Sequence, residues 1–216
     1  MIFKHWKGLL IDLDGTLIDS IPVLFRTYLA FMEAKGKVGS EEEFAALNGK
    51  AFPEIFRFLK NKHDLEEDEA ILAGHYHTHL MSAYKNESKL FCSAEQTLEL
   101  AHKKGKKILL VTSAPFELAH QMLHRLNVAH YFSEVVSSEH VEHSKPDPAI
   151  YLKALENADL SGEEAVAIED SLNGVKSSIG AGIPTISYTC AHHLGEAAVA
   201  HNWMEIQQLL GLNDGI

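Results

Sequence analysis

The chain of 216 residues is 46% hydrophobic and 23% charged, the balance of an ordinary globular protein with a sizeable core. Its formal net charge of −11 argues against general nucleic-acid binding and against docking on an anionic membrane, so an anionic substrate would need a locally positive site. Cys92 and Cys190 have no pair spacing and read as reduced thiols of a cytoplasmic protein, no apolar run approaches the ~20 residues of a membrane span, and the opening Met-Ile-Phe-Lys-His-Trp-Lys leads into a chemistry-bearing strand, not a cleavable signal.

Residues 9–13 form a short apolar run that reads as a buried strand. Asp12 and Asp14 stand at its end, two positions apart and so starting on the same side, with a Gly-Thr turn directly after them. Two carboxylates there repel each other unless a cation sits between them; taken alone, the stretch fits a solvated Asp-rich turn equally well. Pro22 suits a first helical turn and Gly36 its stop. Ser40-Glu-Glu-Glu43 opens a short helix as a capping box, which Asn48-Gly49-Lys50 breaks. A third helix over 52–61 places Phe52, Ile55, Phe56 and Leu59 on one face, and a fourth over 64–83 begins with acidic residues. Residues from about 20 to 88 are therefore expected to be helical throughout.

From 89 onward the pattern alternates. Ser93-Ala-Glu-Gln96 is a second capping box, for a helix ending at Lys103-Lys104-Gly105. Strands are expected at 107–112, 132–136, 165–169 and 184–188, and helices at 116–126, 147–157, 172–181 and 204–210. This predicts an α/β fold, a Rossmann-like parallel sheet with helices on both faces, formed by 1–19 and 89–216, with a small helical domain at 20–88 inserted after the first strand.

Open sheets of this kind bind ligands at the carboxyl ends of their strands. Those ends carry Asp12 and Asp14, Thr112 and Ser113, and Glu169 and Asp170, with Ser144-Lys145-Pro146 following the 132–136 strand. Asp12 and Asp170, assisted by Glu169, offer an oxygen cage suited to Mg²⁺. Lys145, Ser113 and the backbone N–H groups of the turn at Gly15 and Thr16 could hold phosphate oxygens. One Asp could then attack phosphorus, while the other protonates the leaving alkoxide and later activates water.

This constellation resembles the haloacid dehalogenase superfamily over the whole chain. Asp12-Leu-Asp-Gly-Thr-Leu-Ile-Asp19-Ser20 is similar to the first family motif, Val111-Thr112-Ser113 to the second and Ser144-Lys145-Pro146 to the third. Ile168-Glu169-Asp170-Ser171, followed by Asn173-Gly174 and Ala181-Gly182, resembles the fourth. The resemblance implies Asp12 as nucleophile and Asp14 as general acid/base, with the Asp14 backbone carbonyl joining Asp12, Asp170 and Glu169 at Mg²⁺. Thr112, Ser113 and Lys145 would hold the transferring phosphoryl group, and the helices at 20–88 would form a cap that closes over the site and selects the substrate.

Within the superfamily, Asp14 and the Glu169-Asp170 pair argue against a dehalogenase. Leu24 and Phe52 stand where β-phosphoglucomutase-like members place a His and an Arg, which weakens a mutase reading, and Lys50 is a substrate contact more readily than a Schiff-base lysine. A catalytically silent binding protein should have lost one of these groups, and none is missing. The expectation is a phosphatase acting on a small phosphorylated metabolite of the phosphoglycolate or sugar-phosphate type, cytoplasmic, and a monomer or weak dimer. His75, His77 and His79 read as solvated, with only His75 and His79 on one helical face; His140 and His143 precede Lys145 on a loop and read mainly as surface residues. Asp19 and Ser20 are expected to cap a helix, Ser171 and Asn173 to shape a turn, Glu117 to orient the lysine or favour its helix N-terminus, and Arg57 and Lys60 to be solvated.

Overall fold

The strand expected first forms as β1 (Gly8–Ile11), buried at every residue. The chain is known from a computed structural model that describes residues 3, 5–188 and 197–213; Cys190 and the side chain of His79 lie outside the described set. After β1 come β2 (Ile18–Asp19) and four helices, α1 (Ile21–Ala34), α2 (Glu41–Leu47), α3 (Phe52–His63) and α4 (Glu69–Glu87). Then follow β3 (Lys89–Leu90), α5 (Ala94–Lys103), β4 (Lys107–Thr112), α6 (Phe116–Arg125), β5 (Glu134–Ser137), α7 (Ala149–Ala158), β6 (Ala165–Glu169), α8 (Leu172–Gly180), β7 (Thr185–Tyr188), β8 (Ala198–Ala200) and α9 (Trp203–Leu209).

Six strands make one sheet in the order β5-β4-β1-β6-β7-β8, parallel throughout. Alternation along the strands feeds two cores. Leu9, Ile11, Ile108, Leu110, Val166 and Ile168 enter one cluster, and Leu10, Leu109, Val111, Ala165 and Ala167 enter the other with Tyr151 of α7. The chain leaves central β1 for β4 on one side and later adds β6 on the other, so the strand order reverses beside β1. A crevice opens at such a reversal, beyond the carboxyl ends of the strands.

Several local expectations are corrected. β1 ends at Ile11, so Asp12 to Asp14 lie beyond its ladder in a turn where Gly15, at φ +81°, donates to the Ile18 carbonyl at 2.9 Å. The stretch at 20–88 is flanked by a short antiparallel pair, β2 with β3, two residues each and too brief for any alternation to reveal. Helix α4 begins at Glu69, not at 64, because Asp64 takes the left-handed conformation (φ 50°) that ends α3. Ser93 is also left-handed and makes no side-chain cap bond, so the second capping box does not form.

The first box forms by half. Ser40 Oγ accepts from the Glu43 amide at 3.1 Å, but the Glu43 side chain turns inward. Only 3% exposed, it accepts from Tyr28 of α1 and from Lys62 Nζ at 2.5 Å and His63 Nε2 at 3.0 Å on α3. One carboxylate thus joins three helices. Burial pushes its pKa up, and the hydrogen bonds from Lys62, Tyr28 and His63 outweigh that and hold it below the ordinary glutamate range. A group depressed in this way stabilises the fold above its unfolded pKa and loses that contribution as pH falls through its folded value. Glu43→Gln should therefore lower stability at pH 7 by about 1.5–3 kcal/mol. In thermal melts from pH 7 to pH 3, the gap in Tm between the two proteins should close below about pH 4.5; parallel curves would refute the ionic role of Glu43.

Candidate active site

Lys145 is the group around which the strand ends assemble. Its ammonium is fully buried and donates to Asp12 Oδ1 at 2.6 Å, Glu169 Oε1 at 2.6 Å and the Val111 carbonyl at 3.0 Å. Three donors meet three acceptors, so the buried charge is fully satisfied. Burial would lower its pKa, but the facing carboxylates of Asp12 and Glu169 hold it well above the usual lysine range. Tyr151, one turn into α7, donates to the same Glu169 oxygen at 2.6 Å.

The remaining carboxylates crowd the same point. Asp12, Glu169 and Asp170 present oxygens that all lie within 4.8 Å of one another. Burial raises the pKa of each, Glu169 to about 7, and the neighbouring anions push Glu169 and Asp170 further up. One buried lysine opposes these three carboxylates. Glu169 Oε2 is buried and meets no hydrogen-bond donor among the described residues. An oxygen-only donor set with excess negative charge and an orphaned carboxylate oxygen fits a hard divalent cation such as Mg²⁺.

Glycines permit this approach. A Cβ at Gly174, in the first turn of α8, would lie 1.9 Å from Glu169 Oε2, and one at Gly15 would lie 2.3 Å from Asp170 Oδ2. Thr16 Oγ1 donates to Asp170 Oδ1 at 3.1 Å. Ser171, expected to shape a turn, caps α8, accepting from the Gly174 amide at 3.0 Å.

Asp14 stands apart from this cluster. Its Oδ1 accepts from Ser20 Oγ at 2.6 Å and from the Tyr84 hydroxyl at 2.7 Å. Burial raises its pKa to about 6 against these two hydrogen bonds. Ser20 was expected to cap α1; it occupies the N-cap position but makes no cap bond, because its hydroxyl goes to Asp14. Asp19 is exposed in β2.

The loop between α2 and α3 lies over the strand ends. Ser113 Oγ donates to the Gly49 carbonyl at 2.7 Å, Asn173 Nδ2 to the Asn48 carbonyl at 2.9 Å, and Ser144 Oγ to Glu54. Thr112 Oγ1 accepts from the Ala114 amide at 3.0 Å and so braces the turn after β4. Beneath the loop is a cavity of about 80 Å³ that reaches Asp12, Asp14, Thr112, Ser113, Asp170 and Lys50. Its outer wall is mostly apolar, with Leu24, Phe44, Phe52, Ile55 and Leu80 among the lining side chains.

Other candidates fall outside it. His140 accepts from the Ser137 amide at 2.9 Å and lines a separate groove with Phe116, and His143 is exposed. His75 contacts Lys35 at 3.0 Å and His77 is exposed. Glu117 accepts from Gln121 at 2.6 Å, so the lysine is oriented by Glu169 instead. Arg57 pairs with Glu69 at 3.4 Å, and Lys60 donates to the Glu67 carbonyl at 2.5 Å. Tyr84 and Tyr151 carried no signal in the sequence, since each is an aromatic on a helix and only the tertiary packing aims its hydroxyl.

No helix among the described residues is long and apolar enough to cross a membrane. Known proteins share both the sequence and the fold. The chain is 30% identical over 194 residues to a phosphorylated carbohydrates phosphatase of Thermotoga maritima, covering 88% of each protein. It is 27% identical to a phosphoglycolate phosphatase of Aliivibrio fischeri, over 90% of this chain and 89% of that one. The crystal structure of CbbY from Rhodobacter sphaeroides in complex with phosphate superposes with a TM-score of 0.83 at 21% identity, covering 93% of this chain and 96% of that one, which speaks to the fold alone. The family model for haloacid dehalogenase-like hydrolases matches residues 9–188, and with the strand-end cluster in place, the chain belongs to that family.

Proposed function

We propose that this chain is a cytoplasmic Mg²⁺-dependent phosphatase that hydrolyses a small phosphorylated metabolite, of the phosphoglycolate or sugar-phosphate type, through an aspartyl-phosphate on Asp12. The observation that carries the reading is the buried Lys145 held between Asp12 and Glu169, with Asp12 and neighbouring Asp170 lining a cavity. The phosphatases to which the chain is similar support the substrate class.

Asp12, kept anionic and oriented by Lys145, attacks phosphorus, and the bond to the leaving oxygen breaks. Lys145 and Ser113 offset the charge on the phosphoryl oxygens. Asp14 gives its proton to the departing alkoxide, then takes one from the water that attacks the phosphorylated Asp12, releasing phosphate and restoring both carboxyl groups. Asp12, Asp170 and Glu169, with the Asp14 carbonyl, would hold Mg²⁺, which when bound supplies charge that offsets repulsion between nucleophile and phosphate dianion. Residues 20–88 act as the cap over a core of 1–19 and 89–216; Leu24, Phe52 and Lys50 bound the space left for the leaving group, and the protein works as a monomer or weak dimer.

Phosphate release should be measured across phosphoglycolate, hexose phosphates, nucleotides and pyrophosphate, with and without Mg²⁺. Mg²⁺-dependent release on a few of these is expected. Asp12→Asn should lose at least about 1000-fold in kcat with its melting curve retained; isomerised products without phosphate release would favour a mutase. Gly174→Ala gives a separate check. A Gly→Ala change inside a helix ordinarily stabilises by about 0.5–1 kcal/mol. Here the added methyl displaces a Glu169 carboxylate pinned by Lys145 and Tyr151, so both Tm and Mg²⁺-dependent turnover should fall. A raised Tm with unchanged turnover would show that Glu169 needs no such fit.

A further inference from the structure

Away from the strand-end cluster, histidines gather on α6. Phe116, His120 and His124 follow one another at four-residue spacing, so they share one face of the helix. His120 and His124 are exposed and turn their rings toward each other, Nε2 to Nε2 at 3.2 Å, with ring centroids 4.4 Å apart. The Phe116 ring stacks against His120 at 5.8 Å and supports it from one side. The pair lines a groove shared with His130, Glu134 and His140.

Facing imidazole nitrogens at this separation match a chelate. Zn²⁺ holds each imidazole nitrogen at about 2.0–2.1 Å, which puts two tetrahedral ligands about 3.3–3.4 Å apart. Both Nε2 atoms can ligate only when each ring carries its proton on Nδ1. Among the described residues, neither Nδ1 has a hydrogen-bond partner that would oppose this. His140 differs. Its Nδ1 accepts from the Ser137 amide at 2.9 Å, so in the neutral ring the proton sits on Nε2 and that nitrogen cannot ligate.

We propose that His120 and His124 form a chelating site for Zn²⁺, separate from the carboxylate cluster, with water completing the coordination in the open groove. The two sites sort ions by donor type: imidazole nitrogen suits Zn²⁺, whereas carboxylate oxygen suits Mg²⁺. Both ligands stand one turn apart on a single helix, so no other segment need move to receive the ion.

The test is calorimetric titration of the whole protein with Zn²⁺, with Mg²⁺ in excess to occupy the carboxylate cluster. The variants are His120→Gln and His124→Gln, each checked by its melting curve. A third protein combines His124→Gln with Gln121→His, which keeps the number of histidines but places them side by side, where they do not face each other. The unaltered protein should take up one Zn²⁺ that all three variants bind at least about tenfold more weakly, because a chelate loses its second, effectively intramolecular contact. Phosphate release in Mg²⁺ should be the same in all four proteins. Failure of the unaltered protein to bind Zn²⁺ overturns the proposal. Unchanged affinity in either single variant overturns it too, since the ion is then held elsewhere. Affinity restored by Gln121→His would show that histidine number, not the facing pair, holds the ion, and would equally overturn it.

Discussion

Everything at the strand ends depends on one buried ammonium. Lys145 is fully buried, and removing it would leave Asp12 and Glu169 facing each other without its counter-charge. A buried ion pair is weak evidence of stability, because desolvation cancels much of the attraction. It is strong evidence of a fixed arrangement, since each partner can exist in ionised form only while the others stay in place. The lysine comes from the loop after β5, Asp12 from the end of β1 and Glu169 from the end of β6. Three segments far apart in sequence are therefore locked to a common point before any ligand arrives.

That lock sets the requirements on its surroundings. Glu169 must bring one oxygen to Lys145 and Tyr151 and leave the other without a donor, and this is sterically possible only because position 174 has no side chain. Asp170 reaches toward Gly15 in the same manner, where the positive φ of the turn independently favours glycine. The two glycines serve electrostatics as much as backbone geometry: each lets a carboxylate come closer to its fellows than any other residue would allow. The repulsion this builds is part of what makes the donor set suit a divalent cation.

The sheet and its strand-end residues were legible because burial writes itself into composition. Runs such as 108–111 and 165–168 are continuous apolar stretches, and such stretches in alternation with helices admit few folds. The glycine turn, the lysine before a proline and the paired acids were equally readable, because their spacing is local. The failures share a different cause. Ser20 sits where a helix cap belongs and Glu43 where a capping box needs its glutamate, yet in both cases a distant partner wins. Asp14 claims the Ser20 hydroxyl, and Tyr28, Lys62 and His63 claim the Glu43 carboxylate. Capping rules weigh only neighbours in sequence, so a buried charge that gathers donors from three helices is invisible to them. Tyr84 and Tyr151 were missed for the same reason.

Asp12 and Asp14 are the same residue type two positions apart, and in the proposed mechanism they do opposite work. Their surroundings supply the difference. Asp12 faces a full positive charge, whose attraction opposes the rise in pKa that burial imposes on it. Asp14 faces two neutral hydroxyls in a mostly apolar recess, where burial dominates and the protonated form becomes accessible near neutral pH. The separation requires that the chain turn sharply between them, which the end of β1 at Ile11 and the turn at Gly15 provide. Had the strand continued, both carboxylates would have shared one face and one environment. In the proposed mechanism, the early end of β1 is thus what lets one short motif present an anion and an acid.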